Sequence, residues 1–172
     1  MTLYTKLLVR DMEIWMKLLM TLVFISLNFA HASERIQTRM EEYATEFKRI
    51  ATSETITDED MEKLATYFAP PVTFTKYFFW GTIPLWLTCR STLELENQLY
   101  DIMRDLKARR YKKSEADQWV ISLNEPRNHA QAKVIWKRIN QHDKVFEILA
   151  TTYKLVLSGG VWKITDLTVV PL

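Results

Sequence analysis

Two oppositely charged residues, Arg138 and Asp166, are the first candidates for chemistry, because each falls in a segment that alternates like a β-strand. A strand points successive side chains to opposite faces, so Asp166 shares a face with Trp162 and Ile164. By the same rule Arg138 shares a face with Trp136. If these faces point inward, the two charges need each other or a polar ligand, because an unpaired buried charge is unfavourable. The pattern therefore fits either a polar floor in an aromatic pocket or charges that reach solvent at diverging strand ends.

A second candidate region is the segment YFFWGTIPLWLTCRS, residues 77 to 91, which concentrates aromatic and aliphatic side chains. Gly81 and Pro84 interrupt any long helix or central strand there. Burial of such side chains is worth about 1.5 to 3 kcal/mol each, so we expect them to pack against the sheet or helices. Trp80 and Trp86 could then close an empty pocket, contact an apolar ligand or form a dimer interface.

Composition excludes several other kinds of site. A formal net charge of +2 is too balanced for a protein that neutralises many phosphates, and three histidines with one cysteine cannot form a zinc ligand set. Three glycines are too few for a Gly-rich phosphate loop. We therefore predict no metal, no cofactor and no nucleic-acid partner. The single cysteine, Cys89, has apolar neighbours and is expected to be buried.

The N-terminal residues have the organisation of a signal peptide. Lys17 supplies a positive charge, residues 18–30 are apolar, and small residues at positions 30 and 32 match the pattern that signal peptidase reads. The sequence predicts a signal peptide over residues 1–32, cleavage between Ala32 and Ser33, and a secreted or periplasmic location in a bacterial envelope.

Retention of this segment in a membrane is the alternative. The apolar stretch is shorter than the roughly 20 residues that span a bilayer, so membrane attachment is expected only if cleavage does not occur. Acidic residues are unusual in the first part of a signal peptide, which leaves three candidate start codons: Met1, Met12 and Met16.

Residues 33–172 are predicted to form a single domain that begins with helices. A first amphipathic helix is indicated by apolar residues spaced three and four apart: Ile36, Met40, Tyr43, Phe47 and Ile50. Thr57 can cap a short second helix, and the acidic residues 58–60 after it suit the helix N-terminus, with a metal-binding loop as the alternative. Ser91 and Glu94 form a capping-box pattern at the start of a long third helix.

Strands account for most of the remaining sequence. Residues 72–77, VTFTKY, alternate and are rich in β-forming residues, and four further strand-like runs follow the third helix with short turns between them. Helices packed on one face of a curved antiparallel sheet make an α+β architecture.

The order of these elements resembles the nuclear-transport-factor-two-like superfamily, which includes SnoaL-like domains and ketosteroid isomerase. The segments EEYATEFKRI, LATYFAPPVTF, CRSTLELENQL and SGGVWKITDL fall at corresponding places, and an uncharacterised bacterial branch is the most similar. The resemblance implies a conical half-barrel: a curved antiparallel sheet with three helices packed on its concave side and a pocket between them. It also implies that the aromatic segment with Trp80 and Trp86 lies at the mouth of this pocket.

Ketosteroid isomerase supplies the enzymatic comparison, since it uses a carboxylate base together with an oxyanion hole made by a tyrosine and a protonated aspartic acid. Tyr43 matches the place of that tyrosine. The places of the two carboxylates fall at about Lys76 and near Thr151, so the resemblance implies that both carboxylates are lost.

The leading hypothesis is an exported domain without catalytic residues that binds a small apolar molecule or a protein partner, with a homodimer as one form of partner. One alternative is a SnoaL-like or ketosteroid-isomerase-like enzyme that uses Tyr43 and Asp166. Another is a membrane-anchored periplasmic scaffold subunit, which resembles the type IV secretion components that carry this fold. The candidate ligand-binding residues are Tyr43, Trp80, Trp86, Trp136, Arg138 and Asp166.

Overall fold

The computed structural model describes residues 3–78, 83–117, 119–124 and 128–172. The chain forms two compact units, Met1–Arg35 and Ile36–Leu172. In the first unit the backbone is helical, and apolar side chains described there, such as Leu19 and Met20, are exposed. Among the described residues, no helix combines the length and the hydropathy needed to cross a bilayer.

The first helix carries the predicted apolar stripe. The helices are α1 (Leu3–Thr52), α2 (Asp58–Ala65) and α3 (Thr92–Ala108). In α1 the residues Ile36, Met40, Tyr43 and Ile50 are buried, which confirms the spacing of three and four that one face of a helix requires.

Helix α3 is positioned by its cap and by its own apolar stripe. The Ser91 hydroxyl accepts a hydrogen bond from the backbone N–H of Glu94 at 3.2 Å, as the sequence predicts. The Glu94 carboxylate accepts from the N–H of Arg90 at 2.6 Å, one residue earlier than a capping box requires. Leu95 and Leu99 are fully buried, so this face of α3 packs into the core.

The acidic start of α2 is a helix cap that also joins α1. The Thr57 hydroxyl accepts from the backbone N–H of Asp60 at 3.2 Å, and the Asp60 carboxylate accepts from the N–H of Thr57 at 3.0 Å. Arg49 bridges Asp60 and Glu46, which holds the pKa of both carboxyls below their usual values. These contacts support the capping interpretation over a metal-binding loop.

A curved, open sheet of seven strands forms the rest of the domain. Its strands are β1 (Phe68–Phe78), β2 (Ile83–Cys89), β3 (Tyr111–Ala116), β4 (Val120–Asn124), β5 (His129–Asn140), β6 (Val145–Ser158) and β7 (Val161–Pro171). They are ordered β2-β1-β7-β6-β5-β3, and β4 also pairs with β5. All pairs are antiparallel except β1 with β7, which is parallel.

Strand β3 was not predicted from the sequence, in which only four strand-like runs were identified after the third helix. Only Tyr111 is buried in β3, so the segment has no alternating apolar pattern. Its strand conformation comes from pairing with the second half of β5, from Tyr111 opposite Asn140 to Ala116 opposite Trp136. Such pairing depends on tertiary context, which a local pattern does not carry.

A bulge at Thr165 reverses the side-chain alternation of β7. Two successive pairs between β6 and β7 are Leu155 with Ile164 and Lys154 with Asp166, which leaves Thr165 without a cross-strand partner. Strict alternation would place Asp166 on the same face as Ile164. Because of the extra residue, Asp166 and the side chains that follow it point to the opposite face from the one that alternation predicts.

Candidate ligand cavity

A cavity of about 430 Å³ lies between α1, α3 and the sheet face that these helices cover. Its volume is in the usual range of small-molecule sites. Most of its wall is apolar, and the wall side chains come from both layers of the domain: Ala44, Phe47, Phe74, Leu85, Leu87, Ile102, Leu106, Leu149, Leu167 and Val169.

Three tyrosines form what we call the tyrosine floor: Tyr43 of α1, Tyr111 of β3 and Tyr153 of β6. The ring of Tyr43 meets that of Tyr153 edge to face, with 6.1 Å between centroids. Tyr153 also accepts a hydrogen bond from Trp136 Nε1 at 3.2 Å, while Tyr111 shares one with the Ser114 hydroxyl at 2.9 Å. These contacts fix the orientation of the floor.

The floor tyrosines are protonated at neutral pH. Burial raises the pKa of Tyr153 to about 12 and the pKa of Tyr43 well above its usual value, and it also raises the pKa of Tyr111. The Arg138 guanidinium opposes these shifts but does not overcome them. A phenol that keeps its proton donates a hydrogen bond and does not act as a base.

An internal ion pair lies beside the floor. Arg138 of β5 and Glu147 of β6 are directly opposite each other, and Arg138 Nη1 is 2.7 Å from Glu147 Oε2. Their side chains are only 21% and 15% exposed, and both line the cavity. A pair this enclosed is favourable only if both partners are present, because either charge alone would be left without compensation.

Three of the candidate ligand-binding residues predicted from the sequence line this cavity: Tyr43, Trp136 and Arg138. Arg138 lies on the inward face, which is one of the two alternatives that the sequence left open, and its partner is Glu147 and not Asp166. Trp80 lies outside the described residues.

Asp166 lies on the opposite face of the sheet, contrary to the prediction that it shares the inward face of Trp162 and Ile164. The bulge at Thr165 is the reason, since it reverses the alternation just before Asp166. The Asp166 carboxylate is 3.4 Å from Lys154 Nζ and accepts a hydrogen bond from Thr168 at 3.1 Å. Asp166 is therefore absent from the cavity lining.

Trp86 and its neighbours are exposed, contrary to the expectation that they pack against the sheet or helices. Leu85 is 63% exposed, Trp86 is 64% exposed, and Leu87 and Phe78 are also exposed. The cause is topological, because β2 is the edge strand and has only β1 beside it. Leu85 and Leu87 still border the cavity, whereas Trp86 does not.

Glu147 and Tyr153 also line the cavity, although neither was predicted from the sequence. Both could have been found from the alternation of β6, in which Glu147, Leu149, Thr151 and Tyr153 share the inward face. Lys76 and Thr151 also line the cavity with Tyr43, so the positions that the ketosteroid isomerase comparison indicated do converge. Within the described part of the chain, no group of His, Cys, Asp or Glu side chains has an arrangement that could hold a metal ion.

Comparison with known proteins decides the family. The model of the family described as NTF2-like protein (DUF6841) matches residues 33–172. The chain belongs to this NTF2-like family. Among curated proteins, none matches the sequence.

Solved structures show the same fold at low sequence identity. An NTF2-like protein with a cystatin-like fold from Novosphingobium aromaticivorans aligns with a TM-score of 0.62 and 12% identity, covering 88% of this chain and 89% of that one. The corresponding values are 0.57, 11%, 82% and 87% for an NTF2-like protein from Pseudomonas putida. For the yeast UBP3-associated protein BRE5 they are 0.56, 12%, 80% and 96%. At these identities the likeness establishes the NTF2-like fold alone.

Proposed function

We propose that this NTF2-like domain binds a small, largely apolar molecule in the cavity and does not change it covalently. The observation that supports this most directly is the combination of apolar walls with a floor of protonated tyrosines. Small-molecule sites are commonly built this way, with a large apolar surface for affinity and a few polar groups for orientation.

Apolar contacts supply most of the binding free energy. Burial of a ring-sized ligand against Phe47, Phe74 and Leu167 is worth several kcal/mol, and micromolar affinity remains after the entropic costs of association. The hydroxyls of Tyr43 and Thr151 both line the cavity, and neither is hydrogen-bonded to any residue within the described part of the chain. A ligand oxygen placed at the floor would therefore meet donors that are not otherwise engaged.

The side chains around the floor favour binding over catalysis. Lys76 and Thr151 stand where the ketosteroid isomerase comparison expects carboxylates, and Asp166 points to the other face of the sheet. The carboxylate of Glu147 is held by Arg138. A proton-transfer enzyme needs a base within reach of its substrate. Because Asp166 does not line the cavity, the enzyme alternative that uses Tyr43 and Asp166 lacks its carboxylate.

Titration with a neutral fluorescent probe, phenylnaphthylamine, tests the proposal. We expect micromolar binding to the wild type and loss of binding in Ala44→Trp, which puts an indole into the cavity from α1. The matched control is Thr45→Trp, because Thr45 is the next residue of α1 and is exposed. Equal binding to all three proteins, or no binding to the folded wild type, would contradict the proposal.

A protein partner or a second copy of the chain is the other candidate, and the exposed edge strand β2 favours it. Ile83, Leu85 and Trp86 are each more than half exposed on an edge strand that carries no charged residue, and exposed apolar patches of this kind often mark interfaces. Sedimentation of the wild type and of Trp86→Glu tests the homodimer. A dimer that dissociates in Trp86→Glu would support it, and a monomer at all concentrations would rule it out.

We also propose that the domain acts outside the cytoplasm after removal of residues 1–32. The predicted cleavage between Ala32 and Ser33 coincides with the start of the family match at residue 33. Intact-mass measurement on protein from the host envelope should give a chain that begins at Ser33. Recovery of the full chain in the membrane fraction would contradict this and favour the anchored scaffold.

A further inference from the structure

The charged side chains at the cavity mouth differ in whether they have partners. We define the mouth as the exposed lining residues, which include Lys48 of α1, Lys76 of β1, and Asp101 and Asp105 of α3. Two cations and two anions would cancel if they were equally available to a ligand. The ion pairs in the structure show that they are not equally available.

Each acid of the cavity already has an arginine partner. Asp101 is 3.0 Å from Arg104, and Asp105 is 3.0 Å from Arg109. Deeper inside, Glu147 is held by Arg138. All three lining carboxylates are thus compensated by neighbouring guanidinium groups.

The two mouth lysines are not compensated. Within the described part of the chain, no carboxylate lies within 4.0 Å of Lys48 Nζ or Lys76 Nζ. Lys76 Nζ lies over the ring of Phe78, at 5.5 Å from its centroid. Lys48 and Lys76 come from opposite layers of the domain, one from the helix and one from the sheet. Their long apolar stems can follow the cavity wall while the ammonium groups stay at the opening.

We propose that the ligand is an amphipathic anion, whose apolar body fills the cavity and whose acidic group lies between Lys48 and Lys76 at the mouth. This inference rests on the proposed binding function and specifies the class of ligand. The body enters first because the inner end offers neutral hydroxyls and an internally balanced ion pair, whereas the only uncompensated cations of the described lining are at the mouth. A carboxylate, sulfonate or phosphate monoester on an apolar skeleton has this form.

The inner arginine is a poorer place for the acidic group. An anion bound to Arg138 would approach the Glu147 carboxylate, which is 2.7 Å from the same guanidinium. Like charges this close repel, and the enclosed position strengthens the repulsion. The mouth has the opposite arrangement, since its acids are paired with Arg104 of α3 and with Arg109 just after that helix, and not with the two lysines.

A pair of probes with the same aromatic skeleton tests this inference. Phenylnaphthylamine is neutral, and anilinonaphthalene sulfonate carries one acidic group on the same rings. At low salt we expect the sulfonate to bind the wild type roughly fivefold more tightly than the neutral probe, as two partly exposed ion pairs would provide. The difference should shrink as salt is added, because exposed charges are screened.

Lysine variants show which side chains cause the tighter binding of the sulfonate. In Lys48→Gln, Lys76→Gln and the double variant, affinity for the sulfonate should fall stepwise to that for the neutral probe, and affinity for the neutral probe should stay the same. Lys133→Gln is the matched control, because Lys133 is exposed and does not line the cavity. It should change neither affinity.

Four results would overturn the inference. Equal wild-type affinities for the two probes would refute the anionic class while leaving cavity binding intact. A preference for the sulfonate that persists in the double lysine variant would refute the placement of the acidic group at the mouth. A preference lost only in Arg138→Met would place the acidic group at the floor and refute the mouth site. If neither probe binds the wild type at a site that Ala44→Trp blocks, the proposed function itself is refuted.

Discussion

The space between the helices and the sheet is packed differently at its two ends, although the same helices and strands form both. At the closed end, apolar side chains with almost no exposure fill the space, among them Leu64, Phe68, Leu95, Leu155 and Ile164. At the cavity end, the same helices and strands carry tyrosines, an ion pair and half-buried leucines, which surround the cavity of about 430 Å³. Folding alone requires the first arrangement, so the second is the part of the domain that is available for binding.

The ring of Tyr43 marks the boundary between the two ends. It contacts Phe68 of the closed end at 5.7 Å between centroids and Tyr153 of the cavity floor at 6.1 Å. Strand β7 changes character at the same level, because the bulge at Thr165 separates buried Ile164 from cavity-lining Leu167. A shift of one residue in one strand thus converts core packing into a cavity wall.

Truncation of matched leucines should have the largest effect. Leu155→Ala at the closed end leaves a void among fully packed side chains and should lower the free energy of unfolding by about 3 kcal/mol. Leu167→Ala on the neighbouring strand enlarges an existing cavity and should lower it by less than half as much. Urea unfolding of both variants measures the difference, and equal losses would remove the distinction between the two ends.

Breaking the ion pair should have the next largest effect. Glu147→Leu leaves the Arg138 guanidinium enclosed without its partner, which should destabilise the fold by about 2 kcal/mol. The double variant Arg138→Met Glu147→Leu should regain most of this loss, because an apolar pair of similar size needs no compensation. Additive losses in the double-mutant cycle would show that the pair does not interact in solution.

High pH should destabilise the cavity end through Tyr153. Its pKa is about 12 in the folded protein, against 10.0 for an unperturbed tyrosine. A group whose folded pKa is raised contributes stability that is complete below the unfolded pKa and is lost as pH rises through the folded one. Between pH 9 and 11 the wild type should therefore lose about 1 kcal/mol more than Tyr153→Phe. Parallel stability curves for the two proteins would contradict the burial of this phenol.

The smallest effect concerns Cys89, for which we expect a difference in the labelling rate of the thiol and no difference in the stability of the fold. It is the last residue of the exposed strand β2, yet it is 2% exposed and belongs to the closed end, where burial raises its pKa. A thiol reagent should therefore label the native protein slowly and the urea-unfolded protein rapidly. Fast stoichiometric labelling of the native protein would place the end of β2 at the surface.

Regular elements could be predicted from the sequence because their periods are local. The apolar spacing from Ile36 to Ile50 identifies α1 and places Tyr43 inside, and the alternation of β5 places Trp136 and Arg138 on the inward face. The alternation of β6 would also have revealed Glu147. In each case the side chain's direction follows from counting along a single element.

The errors arose where direction or burial depends on another strand. The sequence of β7 contains no pattern that predicts the bulge at Thr165, so Asp166 was assigned to the wrong face. The rings of β2 were expected to be buried because of their composition, but burial requires a neighbour, and the strand lies at the sheet edge. Strand β3 forms because β5 is beside it.

Native mass spectrometry of the protein purified from its own host tests the central claim most directly. We predict that the wild type carries one small molecule of defined mass, that Thr45→Trp carries the same molecule, and that Ala44→Trp, with its cavity filled, carries none. The same adduct on Ala44→Trp would show that binding occurs elsewhere. A wild type without any adduct that also fails to bind phenylnaphthylamine would contradict the account of the cavity as a binding site.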